Sequence, residues 1–89
     1  MIIKSAASGT DGKCDCIVTV EPGDSVSLDY VSKNRSIYAK RTEELVRQTA
    51  ARYGLSGIRV KIEDFGALGF VIQSRLEVAI ERALRGAEK

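Results

Sequence analysis

The sequence predicts a small α+β fold, a two-layer sandwich in which two helices pack on one face of a small sheet, in the order β-β-α-β-α. Apolar and polar residues alternate over 14–31 and 57–63, as in half-buried strands. Apolar residues recur at three- and four-residue steps over 37–53 and 68–85, as in amphipathic helices. The 89 residues have room for one domain, 1–89, with one modest core.

The N-terminal residues 1–13 are rich in small and turn-forming side chains, which predicts a flexible, exposed loop. An alternating strand is expected next. The side chains predicted to share its inward face are Cys14, Cys16, Val18 and Val20.

A turn is predicted at Glu21–Asp24, because proline presets φ at its second position and glycine suits the positive φ of a type II turn at its third. Alternation resumes after it, with Val26, Leu28 and Tyr30 facing inward. Residues 14–31 are therefore expected to form a β-hairpin.

The first helix has N-cap candidates in Asn34 and Ser36 and a left-handed C-terminal cap in Gly54. The stripe predicted to face the sheet consists of Tyr38, Leu45, Val46, Thr49, Ala50 and Tyr53.

The last strand should bury Ile58, Val60 and Ile62 and expose the charged residues between them. Asp64 is expected to cap the second helix, and Gly66 to permit the corner before it. Gly86 marks the end of that helix. The residues predicted to form its apolar stripe are Leu68, Val71, Ile72, Leu76, Ala79, Ile80, Ala83 and Leu84.

The composition argues against an autonomous enzyme. The chain has no histidine, the side chain best suited to proton transfer near neutral pH, and its carboxylates are scattered. Fourteen Lys and Arg against 12 Asp and Glu give a net charge of only +2, so the charge does not by itself indicate nucleic-acid binding. No apolar run approaches the roughly 20 residues of a membrane span and no signal peptide is evident, which predicts a cytoplasmic protein.

The two cysteines, Cys14 and Cys16, are too close for a relaxed disulfide and provide only half of a zinc site, so no metal is predicted. We interpret both as small buried apolar residues. The alternative is that Cys14, beside Lys13, is a reactive thiol.

One motif pattern runs through the chain and consists of Gly9-Thr10 followed by Asp15, Tyr53-Gly54-Leu55, the alternating strand, Glu63-Asp64-Phe65-Gly66-Ala67-Leu68, Val71-Ile72, Arg75 and Arg82-Ala83. In this pattern the chain resembles the acyl carrier (gamma) subunit of citrate lyase over nearly its full length. Within this motif Asp64, Gly66, Ala67, Leu68 and Arg75 are candidates for structural or partner contacts. Arg75 could also extend its charge past an apolar surface or bind a phosphate.

The resemblance implies a non-catalytic carrier. Such carriers hold a 2'-(5''-phosphoribosyl)-3'-dephospho-CoA arm, attached by a phosphodiester to a serine in the N-terminal loop by a prosthetic-group transferase. The thiol of the arm bears an acetyl thioester. An alpha subunit exchanges acetyl for citrate, and a beta subunit cleaves the citryl thioester.

The sequence departs from this pattern at the attachment point. Matching Gly9-Thr10 and Asp15 without a gap places Lys13, which has no hydroxyl, at the position of the modified serine. Ser8 is then the first candidate for attachment, with Ser5 and Cys14 as others.

Three hypotheses follow. The first is a working carrier whose attachment has moved to Ser8. The second is a carrier-derived structural or regulatory subunit without the group. The third is a small nucleic-acid-binding module that uses Lys33, Arg35, Lys40 and Arg41, although these lie next to acidic residues and form a typical solvated helix face.

Overall fold

Six elements follow one another along the chain, and residues 5–32 and 35–85 are described by the computed structural model. The elements are β1 (Ala6–Gly9), β2 (Cys16–Pro22), β3 (Val26–Val31), α1 (Arg35–Arg52), β4 (Ile58–Asp64) and α2 (Gly69–Leu84). The strands form one sheet in the order β1-β2-β4-β3. Helix α2 packs on β1 and β2 of this sheet, and helix α1 packs on β3 and against α2. The predicted α+β sandwich with two helices is confirmed, but the predicted order β-β-α-β-α is incomplete, because β1 precedes it.

The core lies between the helices and one face of the sheet. The side chains that the two inner strands bury completely are Cys16, Val18, Val20, Ile58, Val60 and Ile62. The helices cover them with Val46, Ala50, Ile72, Leu76, Ala79, Ile80 and Ala83. Each large aliphatic side chain buried here stabilises the fold by about 1.5–3 kcal/mol. The inward faces predicted for β3, β4 and the two helices are therefore correct in their main part.

The N-terminal segment differs from the predicted loop, because residues 6–9 form a strand. β1 pairs antiparallel with β2, with Ser8 opposite Val18, so Ser8 faces the core and is only 6% exposed. Arg82 of α2 donates a hydrogen bond from Nη1 to the carbonyl oxygen of Ala7, 2.8 Å away. The small residues that suggested a loop are the ones that let α2 lie close to this edge strand.

The predicted β-hairpin is wrong, because β4 lies between β2 and β3. β2 pairs antiparallel with β4, and β3 pairs parallel with it. The β2–β3 connection crosses the start of β4, where the Ile58 amide donates to the Ser25 carbonyl at 3.1 Å. Gly57 permits the crossing, since a Cβ there would lie 2.2 Å from the carbonyl oxygen of Gly23. The turn residues predict only that the chain reverses direction, so they could not show that β4 would lie between β2 and β3.

Other local predictions at strand ends need correction as well. β2 continues through Pro22, and Gly23 has no positive φ, so the turn is not of type II. Cys14 lies outside β2, is exposed and has a φ of 63°, so only Cys16 is the small buried residue expected of both cysteines.

The helix ends agree with the sequence only in part. Gly54 has a φ of 69°, which confirms the left-handed cap of α1. Because α1 begins at Arg35, Ser36 lies inside it and is not its cap. Asn34 and Gly86 lie outside the described residues. Leu68 precedes α2 with extended backbone and is 61% exposed, so it does not belong to the buried stripe.

The opposite faces of β4 can be tested by one substitution at adjacent positions. Val60→Asn places an unpaired amide in the core and should lower the free energy of unfolding by about 3 kcal/mol or more. Lys61→Asn changes an exposed side chain and should stay within about 0.5 kcal/mol. Urea denaturation measures both, and equal losses would contradict the face assignment.

Candidate functional site

The β1–β2 loop, residues 10–15, is organised around the carboxylate of Asp15. Thr10 donates its hydroxyl to Asp15 Oδ2 at 2.7 Å, and the Cys16 amide donates to Oδ1 at 2.8 Å. The Thr10 amide also bonds to the carbonyl of Cys16, and the Asp15 amide to that of Gly12. The loop is thus closed by hydrogen bonds at its base, while its tip faces solvent.

Arg75 of α2 binds the same carboxylate with both ends of its guanidinium group. Nε lies 3.0 Å from Asp15 Oδ1 and Nη2 lies 2.8 Å from Oδ2, a bidentate geometry that fixes orientation as well as charge. These bonds hold the pKa of Asp15 well below its usual range, Arg75 contributing most. Arg75 thus fastens the loop to α2, and its contact with a partner or a phosphate stays a prediction.

The β4–α2 corner is organised by a second carboxylate, that of Asp64. Oδ1 accepts the amides of Gly66 at 3.0 Å and Ala67 at 2.8 Å, and Oδ2 accepts the buried hydroxyl of Tyr30. Asp64 therefore caps the turn before α2 and not the helix itself, whose N-cap residue is Leu68. Gly66 adopts a φ of 97°, which confirms that glycine permits the corner.

The loop and the corner form one unit. The Cys14 amide donates to the carbonyl of Phe65, and the Phe65 amide donates to that of Asp15, both at 2.9 Å. This pair of bonds continues the β2–β4 ladder beyond the ends of the strands. The two motifs that looked separate in the sequence are adjacent in space.

An open cleft of about 770 Å³ lies beside this unit. Its walls come from the end of β3, the start of α1, the end of β4 and the corner. Lys13 and Asp11 of the loop and Arg41 of α1 reach its rim, and the Arg41 guanidinium lies 4.7 Å from the centroid of the Tyr38 ring. Glu63 and Asp64 of β4 also line the cleft, which thus combines apolar walls with charges from the loop, α1 and β4.

Large apolar side chains are exposed around the corner. Phe65 is 41% exposed, Leu68 61% and Phe70 70%. We call these three residues the corner patch. Clustered exposed apolar side chains of this size commonly mark contact surfaces between proteins. This patch could not be predicted from the sequence, because Leu68 continued the periodicity of the helix.

The predicted attachment residues, Ser8, Ser5 and Cys14, and Lys13 at the family's serine position lie in different environments. Lys13 and Cys14 are exposed at the tip of the loop, Ser5 is exposed just before β1, and Ser8 is buried. Which residue carries a group stays a prediction. Sequence reasoning missed the contribution of Thr10, although its spacing from Asp15 across a turn could have suggested it.

The other features considered from the sequence are the cysteines, a metal site and a membrane span. Burial raises the pKa of the Cys16 thiol to about 11, so this cysteine behaves as a core residue. Within residues 5–32 and 35–85, no group of three or more metal-ligating side chains comes together. None of the helices in the same ranges has the length and apolarity required to span a bilayer.

The fold and the site define a small α+β module that presents a braced loop beside a cleft. The family model described as malonate decarboxylase delta subunit, an acyl carrier protein (ACP) model, matches residues 3–83. The chain belongs to this acyl carrier family. The resemblance expected from the sequence and the prediction of a non-catalytic chain are thereby confirmed.

The relatives cover nearly the whole chain. The citrate lyase acyl carrier protein of Haemophilus influenzae is 35% identical over 92% of this chain and 86% of its own. That of Halothermothrix orenii is 27% identical over 99% of this chain and 95% of its own. A chain in the crystal structure of a Pseudomonas malonate decarboxylase hetero-tetramer in complex with malonate is 25% identical, with a TM-score of 0.69 over 90% of this chain and 84% of that one.

We call the contacts of Asp15 with Arg75 and Thr10 the brace. They predict that the effect of Asp15→Asn on stability depends on pH. The variant should have a lower thermal midpoint than the wild type at pH 7, because Arg75 and Thr10 lose a charged partner. The pKa of Asp15 is lowered in the folded chain, so its ionised carboxylate stabilises the fold. This contribution is fully present above the pKa of aspartate in the unfolded chain, about 3.9, and is lost as the pH falls through the folded-state pKa. The difference in thermal midpoint between the wild type and Asp15→Asn should therefore become smaller below about pH 4.

Glu43→Gln is the matched control, since it removes the exposed pair with Arg47 on α1. Such surface pairs contribute little, about 0–1 kcal/mol. Thermal unfolding followed by circular dichroism at pH 7 and pH 3 measures both variants. The brace would be refuted if Asp15→Asn lowered the thermal midpoint by no more than Glu43→Gln does, or if its loss of thermal midpoint did not change with pH.

Proposed function

We propose that the protein occupies the acyl carrier position of a citrate lyase-type complex. This position lies between an alpha subunit that transfers the acyl group and a beta subunit that cleaves the acyl thioester. The complex would be hetero-oligomeric, and the acyl group that it processes would be acetyl or citryl. The carrier itself contributes docking surfaces and positioning, not acid–base groups.

One observation carries the proposal: the β1–β2 loop is exposed at its tip but fastened at its base. A carrier has to present this loop to two different active sites, and the bidentate Arg75–Asp15 contact keeps its base in one orientation during both encounters. The family match over residues 3–83 supports the same role.

The corner patch is the docking surface in this proposal. It adjoins the loop through the Cys14–Phe65 and Phe65–Asp15 hydrogen bonds, so a subunit that binds the patch also meets the loop. Apolar residues at the centre of an interface usually provide most of its binding energy. The charges on the rim of the cleft, among them Lys13 and Arg41, would then orient the partner.

The phosphoribosyl-dephospho-CoA arm implied by the family requires an accessible hydroxyl for its phosphodiester. The tip of the loop offers the amine of Lys13 and the thiol of Cys14, and Ser8 faces the core. The residues present therefore do not fit the arm at this position, and the role proposed here is that of the carrier position in the complex. This same observation favours the second candidate function, a carrier-derived structural or regulatory subunit.

The nucleic-acid hypothesis has less support. Lys33 lies outside the described residues, and Lys40 and Arg41 share the exposed face of α1 with Glu43 and Glu44. Arg41 also stacks on Tyr38 at the cleft. The family relationship favours a partner protein instead.

Reconstitution with the transferase and lyase subunits of the same host tests the proposed function. The wild-type chain should co-elute with them in size-exclusion chromatography. Leu68→Asp with Phe70→Asp should weaken the association roughly tenfold or more, because two exposed apolar contacts become charged.

Ser27→Asp is the control, because it introduces an aspartate at an exposed position outside the corner patch, the second residue of β3. This variant should assemble like the wild type. Circular dichroism establishes that all variants are folded. Unchanged assembly of the double variant would refute the corner patch, and failure of the wild type to assemble would refute the proposed function.

A further inference from the structure

We infer that this chain enters its complex without a phosphodiester-linked arm, and that Lys13 is the residue that excludes the arm from an otherwise competent loop. The inference rests on the proposed function, which it deepens by separating docking from acyl carriage. It follows from the environment of every hydroxyl near the tip and from the register that places Lys13 there.

Ser8, the first candidate for attachment, is not available to an enzyme that would modify it. It lies opposite Val18 in the β1–β2 ladder, so its side chain points toward the core under α2 and is only 6% exposed. Modification would require β1 to leave the sheet and the Arg82–Ala7 hydrogen bond to break. A bulky anionic group at Ser8 is incompatible with this packing.

Thr10 has a hydroxyl near the tip, but this hydroxyl already donates one hydrogen bond and accepts another. It donates to Asp15 Oδ2 at 2.7 Å and accepts the amide of Gly12 at 3.2 Å. Esterification would remove the donor and place a phosphate beside the Asp15 carboxylate. The brace that holds the loop would then be disrupted by like charges.

Ser5 is exposed but lies at the wrong end of β1. Four residues of strand separate it from the loop, a distance of roughly 14 Å at about 3.4 Å per residue. An arm at Ser5 would start far from the corner patch and the cleft. Its attachment would not use the loop that the structure braces.

The register of the loop leaves no freedom to move another residue to the tip. Gly9 pairs with Ile17, and the Thr10 amide bonds to Cys16, so the chain enters and leaves the loop at fixed positions. Gly9 has a φ of 107°, and a Cβ there would lie 1.8 Å from the carbonyl oxygen of Cys16. A one-residue shift would put a side chain in this place. The tip is therefore Lys13 and Cys14.

Neither side chain at the tip can replace a serine. A phosphodiester forms when a hydroxyl oxygen bonds to the donor's phosphorus, the phosphorus–oxygen bond to the leaving diphosphate breaks, and the hydroxyl proton passes to solvent. The lysine amine has no oxygen for this bond, and the cysteine thiol would give a phosphorus–sulfur linkage instead. Lys13 contributes a positive charge on the rim of the cleft in place of an attachment point.

A gain-of-modification experiment tests the inference. A prosthetic-group transferase and the activated donor of the phosphoribosyl-dephospho-CoA group are incubated with the wild-type chain, with Lys13→Ser and with the control Lys13→Ala. The citrate lyase acyl carrier protein of Haemophilus influenzae serves as the positive control for the transferase. Intact mass and peptide mapping of residues 1–20 give the stoichiometry and the position.

Lys13→Ser should gain one group per chain at position 13, while the wild type and Lys13→Ala stay unmodified. Modification of the wild type at any residue would overturn the inference, and the peptide map would identify the true attachment residue. An unmodified Lys13→Ser beside a modified positive control would show that Lys13 is not what excludes the arm. The assembly of the unmodified wild type with its partner subunits tests the proposed function separately.

Discussion

The structure depends on the central position of β4. This strand pairs with β2 on one side and β3 on the other, and its apolar side chains, Ile58, Val60 and Ile62, are completely buried under the helices. Because both of its edges are used, the chain before it must pass over its start, which Gly57 makes possible. Its end, at Asp64, holds the corner from which α2 leaves. Core, topology and functional surface therefore share one element.

Two carboxylates convert this scaffold into a presentation site. Asp15 holds the β1–β2 loop on Arg75, and Asp64 holds the corner on backbone amides and Tyr30. The Phe65 amide and carbonyl link the two. Charged groups buried in part by such networks are costly when one partner is missing, so each carboxylate favours a single arrangement of its segment. The rigid base and exposed tip follow from this division.

The separation between docking and carriage that we propose has a physical basis. Docking requires an exposed apolar patch and a charged rim, and both come from the corner and the loop as folded units. Carriage through a phosphodiester requires one accessible hydroxyl at one position. A single residue, Lys13, can therefore change the second property without disturbing the first. A protein of this family can in this way keep the surfaces of a carrier while its loop presents a charge.

The sequence by itself determined which residues form the core of β3, β4 and α2, because burial on one face imposes periods of 2 and about 3.6 that can be read directly. It also determined Gly54 and Gly66 as left-handed positions, the absence of histidine chemistry and the family. The tertiary structure alone decided that β4 separates β2 from β3, that Ser8 faces inward on β1, and that Arg75 binds Asp15 across 60 residues of chain. Those contacts join distant segments, and a local pattern holds no information about which distant segment will fill the space beside it. Leu68 illustrates the limit: its spacing fitted the helix, but the corner fixed by Asp64 placed it outside.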